Sequence, residues 1–301
     1  MVDFQGIING INATAAKTDN RGLCATYIPE LAKVDLAKFG IHLINIQQQS
    51  FSSGDSDERF SIQSISKVLT LSMALGLIGE NIWERIDVEP SGDPFNHLSL
   101  LELENGIPRN PLINPGAIVV ADILVSQLKN PKEDFLAFVR NISNDESIDY
   151  DKAVAESEKR TGFRNFAAAN LLKSYGNIKN DVDLVLDFYF HQCSLSMSCA
   201  QLANTFYMFI KCSRDITHLT TRQVKRINSL MITCGFYDES GEFAFEVGLP
   251  GKSGVGGGIV ALLPNKFCVA TWSPGLNKKG NSKLGMLALE KLTTETELSI
   301  F

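Results

Sequence analysis

The sequence lacks any C-x-x-C pair, although it holds six cysteines, at positions 24, 193, 199, 212, 234 and 268, and it has only four histidines. Zinc sites need closely spaced thiolates or imidazoles, so no metal site is expected. Scattered single cysteines fit a reducing, cytoplasmic setting. Cys193 and Cys199, in a region that reads as helical, are expected to be small buried apolar residues. No cluster of Lys or Arg occurs, and the net charge is −6, which argues against nucleic acid or an anionic membrane surface as partner. Residues 1–15 have neither a basic n-region nor a continuous apolar h-region, so no secretion signal is expected. The longest apolar stretches, 68–78 and 117–125, are too short or too interrupted to span a bilayer. No internal repeat or low-complexity tract stands out.

What is present is an ordinary globular composition, 44% hydrophobic and 21% charged over 301 residues. That length allows one large domain or two interleaved ones. Residues 40–46 alternate partly and read as a strand, with Gly54-Asp55 as the turn of a hairpin. The apolar stretch that follows Ser64 is hydrophobic nearly all round, as a helix at the centre of a domain is. Residues 114–128, 132–142, 150–160, 165–174, 181–191, 196–212 and 221–233 read as helices. Residues 242–247, 257–263 and 266–272 read as β-rich runs, with Pro264-Asn265 as a turn, and residues 282–294 close the chain as an amphipathic helix. Strands at both ends and helices between them suggest an α+β fold. In it an antiparallel sheet, completed by both termini and flanked by helices, is formed by residues 1–78 and 217–301, with an inserted all-helical domain at 79–216 and the active site in the cleft between them.

Two short motifs carry chemistry. Ser64-Ile65-Ser66-Lys67 opens the apolar helix, and Lys252-Ser253-Gly254 precedes Val255 and three glycines. A serine hydroxyl needs a base within reach and a site for the oxyanion. Residues three apart share a helix face, so Lys67 can reach Ser64, and a lysine kept neutral by burial can accept its proton. A second S-x-x-K, Ser126-Gln127-Leu128-Lys129, shows how easily the motif arises. It lies at a helix end, before Asn130-Pro131, where Lys129 suits the negative end of the dipole. Ser64 instead starts its helix, where free N–H groups favour an oxyanion. The Lys-Ser-Gly segment, as an edge strand, would line the other side of the cleft.

S-x-x-K with a K-T-G partner is the signature of serine β-lactamases and penicillin-binding proteins, with Ser in place of Thr here. The wider pattern resembles the serine-dependent glutaminase family, which shares that fold. The resemblance runs over nearly the whole chain. It rests on Tyr27-Ile28-Pro29-Glu30-Leu31, the segment from Phe60 to Lys67, and Asn110-Pro111-Leu112-Ile113-Asn114-Pro115-Gly116-Ala117. Ser157-Glu158 through Arg164-Asn165 follows, then Tyr189 ahead of Cys193-Ser194-Leu195, Thr233-Cys234-Gly235-Phe236-Tyr237-Asp238, and Gly251 to Gly258. Pro115 departs from the pattern, where Ala or Ser is usual after the binding asparagine, and is expected to alter the local backbone at most. Tyr175-Gly176-Asn177 imitates the Tyr-x-Asn element of some β-lactamases and reads instead as a helix end.

The resemblance implies hydrolysis of L-glutamine through a γ-glutamyl ester on Ser64, with Lys67 as base and no metal or organic cofactor. Tyr237 is the expected proton shuttle and Tyr189 the alternative, otherwise shaping the pocket. The backbone N–H groups of Ser64 and Val255 would form the oxyanion hole. Glu158 would meet the substrate's α-ammonium, Asn114 and Asn165 its α-carboxylate, and Tyr27 and Gln63 would complete the site. Lys252 and Ser253 orient the cleft. A homodimer or homotetramer is implied. Two other readings remain: another acyl-transfer enzyme of the same fold (a β-lactamase, peptidase or esterase), and an amino-acid binding protein without turnover.

Overall fold

The structure, a computed structural model, describes residues 2–92, 98–211 and 219–301. In chain order its elements are α1 (Phe4–Ala16), β1 (Gly40–Asn45), β2 (Ser50–Gly54), β3 (Phe60–Ser61), α2 (Ser66–Ile78), α3 (Ser99–Leu103), α4 (Asn114–Gln127), α5 (Pro131–Ser143), β4 (Asp149–Tyr150), α6 (Lys152–Thr161), α7 (Phe163–Ser174), α8 (Val182–Cys193), β5 (Leu195–Met197), α9 (Cys199–Phe206), α10 (Thr221–Cys234), α11 (Ser240–Glu246), β6 (Gly251–Ser253), β7 (Gly258–Leu263), β8 (Phe267–Trp272) and α12 (Lys283–Thr296).

Both ends of the chain build one antiparallel sheet, in the order β2-β1-β8-β7-β6. Its three central strands are buried along their whole length, so they read as near-continuous apolar runs. The period of two sends Ile41, Leu43, Ile259, Ala261 and Val269 to one face, where α1 and α12 cover them with Ile8, Ile11, Leu284, Leu289 and Leu292. Val260, Leu262, Cys268, Ala270 and Trp272 point the other way and join the large core around α2, α4 and α8. β6 is an edge strand, as expected. A small second sheet, β3-β5-β4, ties the segment before Ser64 to the helices: Phe60 pairs with Met197 and Ser61 with Ser196.

α2 is buried nearly all round. With its flanking 3-10 turns it forms a continuous helical run, Gln63–Glu84, of 22 residues, with an 18-residue stretch of mean hydropathy 1.3, long and apolar enough to cross a membrane by composition, yet that stretch is 61% buried inside the protein. Pro115 is harmless, because it lies in the first turn of α4, where no N–H is needed.

Several elements differ from the sequence expectation. Residues 242–246 are the end of helix α11, with Val247 as its C-terminal cap, not a strand. Glu-Phe-Ala-Phe-Glu-Val alternates like a strand, but Phe243 stacks on Phe236 with ring centroids 3.6 Å apart while Phe245 is 85% exposed and Val247 is buried; the spacing of four from Phe243 to Val247 is helical. The β1–β2 hairpin turns at residues 46–49, where the Asn45 side chain accepts from Gln47 N and Gln49 N and Gln48 takes a φ of 63°; Gly54 only closes the returning strand. Residues 196–212 divide into β5, α9 and the 3-10 turn Tyr207–Phe209. The last residue of that expected helix, Cys212, and the boundary at 216/217 lie outside the described residues. Helix α1 was unforeseen. Asp3 caps it by accepting from Gly6 N.

Candidate active site

Ser64 lies in the 3-10 turn Gln63–Ile65 that runs straight into α2. Gln63 adopts a left-handed φ of 52°, a conformation worth roughly 1–3 kcal/mol of strain in a non-glycine residue. Its surroundings hold it there: Gln63 Nε2 donates to Ser61 Oγ at 2.9 Å and to Glu158 Oε1 at 2.7 Å, and Ser66 Oγ donates to Gln63 O at 2.7 Å. Lys67, one turn on, is fully buried. Its Nζ donates to Asn114 Oδ1 at 2.6 Å and to Leu112 O at 3.4 Å. Burial pushes its pKa down to about 8, and Cys193 and Glu158 pull it part of the way back. A neutral amine has two N–H groups, so those two bonds leave its lone pair for a proton from outside. The Ser126 copy of the motif does nothing comparable: Ser126 is exposed, donates to Asp122 O and accepts from Asn180 Nδ2. Tyr175-Gly176-Asn177 is likewise structural, with the Asn177 amide bonded to Arg85 O and Gly106 O.

The edge strand β6 packs against the nucleophile's turn because its loop carries no side chains there. A Cβ on Gly254 would fall 2.4 Å from Ile62 O and 3.3 Å from Ser64 N, and one on Gly256 would fall 2.2 Å from Ser61 O. The backbones of Val255 and Ser64 are thereby brought side by side. Lys252 is fully buried, donates to Gly235 O at 3.0 Å and Ser253 O at 2.7 Å, and lies 4.4 Å over the Tyr237 ring. Burial and the nearby Lys67 hold its pKa well below the usual value.

Tyr237 also has a left-handed φ, 59°. Ser240 Oγ fixes this turn by donating to Tyr237 O at 3.1 Å and accepting from Phe236 N at 3.0 Å. The Tyr237 hydroxyl interacts with the hydroxyls of Ser64 and Ser253; burial raises its pKa to about 12, those two partners pulling it part of the way back. At neutral pH it is therefore a phenol, not a phenolate. Tyr189 is buried on α8 and its phenol is raised well above the usual value, first by burial and then by Cys193 and Glu158.

A cavity of about 520 Å³ opens in front of Ser64. Tyr27, Gln63, Ser64, Asn114, Glu158, Asn165, Tyr189 and Val255, all expected in the site, line it. Lys67 stands behind this wall with Asn114. Glu158 is almost fully buried; burial raises its pKa to about 7, against the Gln63 hydrogen bond and the Lys67 charge, which lower it. Asn114 accepts from Lys67 and donates to Asn165 Oδ1 at 2.9 Å, which leaves one N–H of Asn114 and the amide N–H groups of Asn165 to face a ligand. Tyr27 is 53% exposed, but its phenol is raised by burial of the hydroxyl end and by Tyr237 and Glu158 beside it.

Sequence reasoning missed Cys193 and the corner formed by Thr161, Gly162, Phe163 and Arg164, which also line the cavity. Cys193 is buried as expected, yet it stands four residues after Tyr189 and so shares its helix face, a spacing that could have placed it. Burial and Glu158 push its thiol pKa up, so it is no nucleophile. Nothing in the sequence marks Phe163, which is 78% exposed. Among the described residues, no group of three or more His, Cys, Asp or Glu is placed to hold a metal ion.

Known proteins similar to this one cover the whole chain. The family profile for glutaminases matches residues 22–301. The glutaminase of Christiangramia forsetii is 59% identical over 304 residues, covering 100% of both chains. A solved structure of a probable glutaminase, ybaS, superposes with a TM-score of 0.92 at 33% identity, covering 99% of this chain and 97% of that one. Mglu, solved in its glutamate form, gives a TM-score of 0.92 at 30% identity, covering 100% of this chain and 70% of that one. The chain belongs to the glutaminase family.

Proposed function

We propose that the protein hydrolyses the side-chain amide of L-glutamine to L-glutamate and ammonia through a γ-glutamyl ester on Ser64. The observation that carries this reading is one cavity lined by Ser64, with the buried Lys67 one helical turn behind it, and by the buried carboxylate of Glu158. Neutral Lys67 takes the Ser64 proton as Oγ attacks the amide carbonyl. The N–H groups of Ser64 and Val255 receive the oxyanion. Collapse breaks the C–N bond, and Tyr237 carries the proton from Lys67 to the leaving nitrogen, which departs as ammonia. Water, deprotonated along the same route, then splits the ester to glutamate and regenerates Ser64. Tyr237 is preferred to Tyr189 for this shuttle because its hydroxyl meets that of Ser64. Glu158 takes the α-ammonium, and the free amide donors of Asn114 and Asn165 take the α-carboxylate.

Ammonia release from L-glutamine by the purified protein, with Ser64→Ala as control, tests the mechanism. The variant is expected to bind glutamine without turnover; full activity in it sinks the serine ester. Glutamine binding without ammonia from the unaltered protein would favour a binding role. A cytoplasmic location is proposed from the free thiols at Cys24, Cys193, Cys199, Cys234 and Cys268. A homodimer or homotetramer, proposed from the resemblance, is checked by light scattering on the eluted protein.

A further inference from the structure

A second cavity, of about 610 Å³, adjoins the one in front of Ser64, and Tyr27 and Val255 line both. It lies where the two ends of the chain meet: Leu23 N donates to Leu276 O at 3.1 Å and Leu276 N to Leu23 O at 2.9 Å. The approach is close, since a Cβ on Gly22 would fall 2.3 Å from Leu276 O and one on Gly275 1.9 Å from Arg21 O. Lys278, Lys279 and Lys283 line this cavity, with Asp238 as the acidic residue of the lining. Lys279 Nζ donates to Asp238 O at 3.3 Å and lies 4.0 Å from its carboxylate. Among the described residues, Lys278 and Lys283 form no ion pair and no side-chain hydrogen bond. The loop that carries Lys278 and Lys279 is tied down. Asn277 Oδ1 accepts from Lys279 N at 2.9 Å and from Asn281 N at 3.1 Å, and Asn277 Nδ2 donates to both oxygens of buried Glu239 at 2.9 Å each. A chain of net charge −6 thus holds uncompensated positive charge in a cavity beside its nucleophile, which favours an anionic ligand there.

Glutamine leaves this second cavity empty. The two substituents of a trigonal amide carbon diverge. With the carbonyl oxygen between Ser64 N and Val255 N, the carbon arm runs to Glu158, Asn114 and Asn165 in the first cavity. The nitrogen is then the substituent free to face the wall that the two cavities share at Val255. Ammonia needs no room beyond that wall, but a group carried on the nitrogen does. We propose that the second cavity is a leaving-group subsite, and that the protein also hydrolyses γ-glutamyl amides whose nitrogen bears an anionic substituent, γ-glutamyl amino acids being the simplest. The carboxylate of the leaving amino acid meets Lys278 and Lys283. The bonds made and broken are those of glutamine hydrolysis. Ser64 Oγ attacks the γ-carbonyl, the C–N bond breaks, and the amino acid departs with the proton that Lys67 took from Ser64. Water then splits the ester to glutamate.

This inference rests on the Ser64 ester proposed above. The purified protein is given L-glutamine, γ-glutamylglycine and γ-glutamylglycinamide, and the ammonia, glycine and glycinamide released are measured. The last two substrates match in size and differ by one negative charge. γ-Glutamylglycine is expected to be cleaved with kcat/KM about five- to tenfold above that of γ-glutamylglycinamide at low salt. The preference should fade in about 1 M NaCl, where the screening length is about 3 Å. The double variant Lys278→Ala/Lys283→Ala should lose the preference while its kcat/KM for L-glutamine stays within about twofold. No glycine released, equal kcat/KM for the two substituted amides, a preference that the double variant keeps, or an equal loss on glutamine in that variant each overturns the proposal. Activity surviving in Ser64→Ala would instead remove the reading beneath it. Ser64-dependent ammonia release from glutamine with no glycine from γ-glutamylglycine removes this inference alone.

Discussion

Replacing Glu158 by Gln keeps the side chain's shape and removes its charge. Gln63 Nε2, 2.7 Å from Glu158 Oε1, still finds an acceptor, so the cavity wall is retained and the loss falls on the α-ammonium. Removing one partner of a buried charged pair costs about 2–5 kcal/mol, so kcat/KM for L-glutamine is expected to drop roughly thirtyfold to several thousandfold. The pH profile is the sharper test. Turnover needs Glu158 ionised and Lys67 neutral, and their pKa values stand at about 7 and about 8. In the unaltered enzyme kcat/KM should rise by two protons below 7 and by one between 7 and 8, then level off, the two steps belonging to the pair jointly. In Glu158→Gln one step is left. It shifts to lower pH, because the anion that supported the Lys67 ammonium is gone. Stability moves the other way. The folded pKa of Glu158 lies above its ordinary value of 4.5, so folding holds a proton that the unfolded chain has released. The unaltered protein therefore loses stability as pH rises from 4.5 to 7, on the order of 3 kcal/mol in total, and the variant does not. Ammonia release measured from pH 5 to 9, with thermal melts at both ends, checks each part. An unchanged kcat/KM, or a variant that keeps the two-proton rise, refutes the role given to Glu158.

Gly254→Ala tests the oxyanion geometry: its Cβ would meet Ile62 O at 2.4 Å, so β6 must move off the Ser64 turn. At least a tenfold loss in kcat and a lower Tm are expected, and a variant with normal kcat would disconnect Val255 from the reaction. Asp122→Asn tests the support beneath the site. Asp122 is fully buried, pairs with Arg85 at 2.6 Å and accepts from Lys179 N and Asn180 N. Breaking that pair should destabilise the fold by about 3–5 kcal/mol in urea titrations while the folded fraction keeps its KM; a shift under 1 kcal/mol would mean the carboxylate carries little of the packing.

The parts of this site written in local periodicity could be read directly, and the parts set by distant contacts could not. Ser64 and Lys67 are one helical turn apart, and the period of a helix alone brings them together. The groups that hold Lys67 in place, Asn114 Oδ1 and Leu112 O, come from more than forty residues on, and only the fold supplies them, as it supplies the burial that lowers the Lys67 pKa. The short strands β3, β4 and β5 have two or three residues each, too few to leave a pattern, and exist through their pairing. The choice between Tyr237 and Tyr189 was closed to sequence for the same reason. Either is an ordinary buried tyrosine in the sequence, and only the fold sets them apart, by giving Tyr237 a left-handed turn. Glu158 stands between these cases. In Glu156-Ser157-Glu158-Lys159-Arg160 it looks like one more solvated charge, yet it follows Val154 by four. The structure buries Val154, Ala155, Ser157 and Glu158 and exposes Glu156, Lys159 and Arg160. A carboxylate on the apolar side of an amphipathic helix has left water, a cost that the Gln63 hydrogen bond and the Lys67 charge offset in part, and its helical spacing from Val154 is the sign of that burial which the sequence carries.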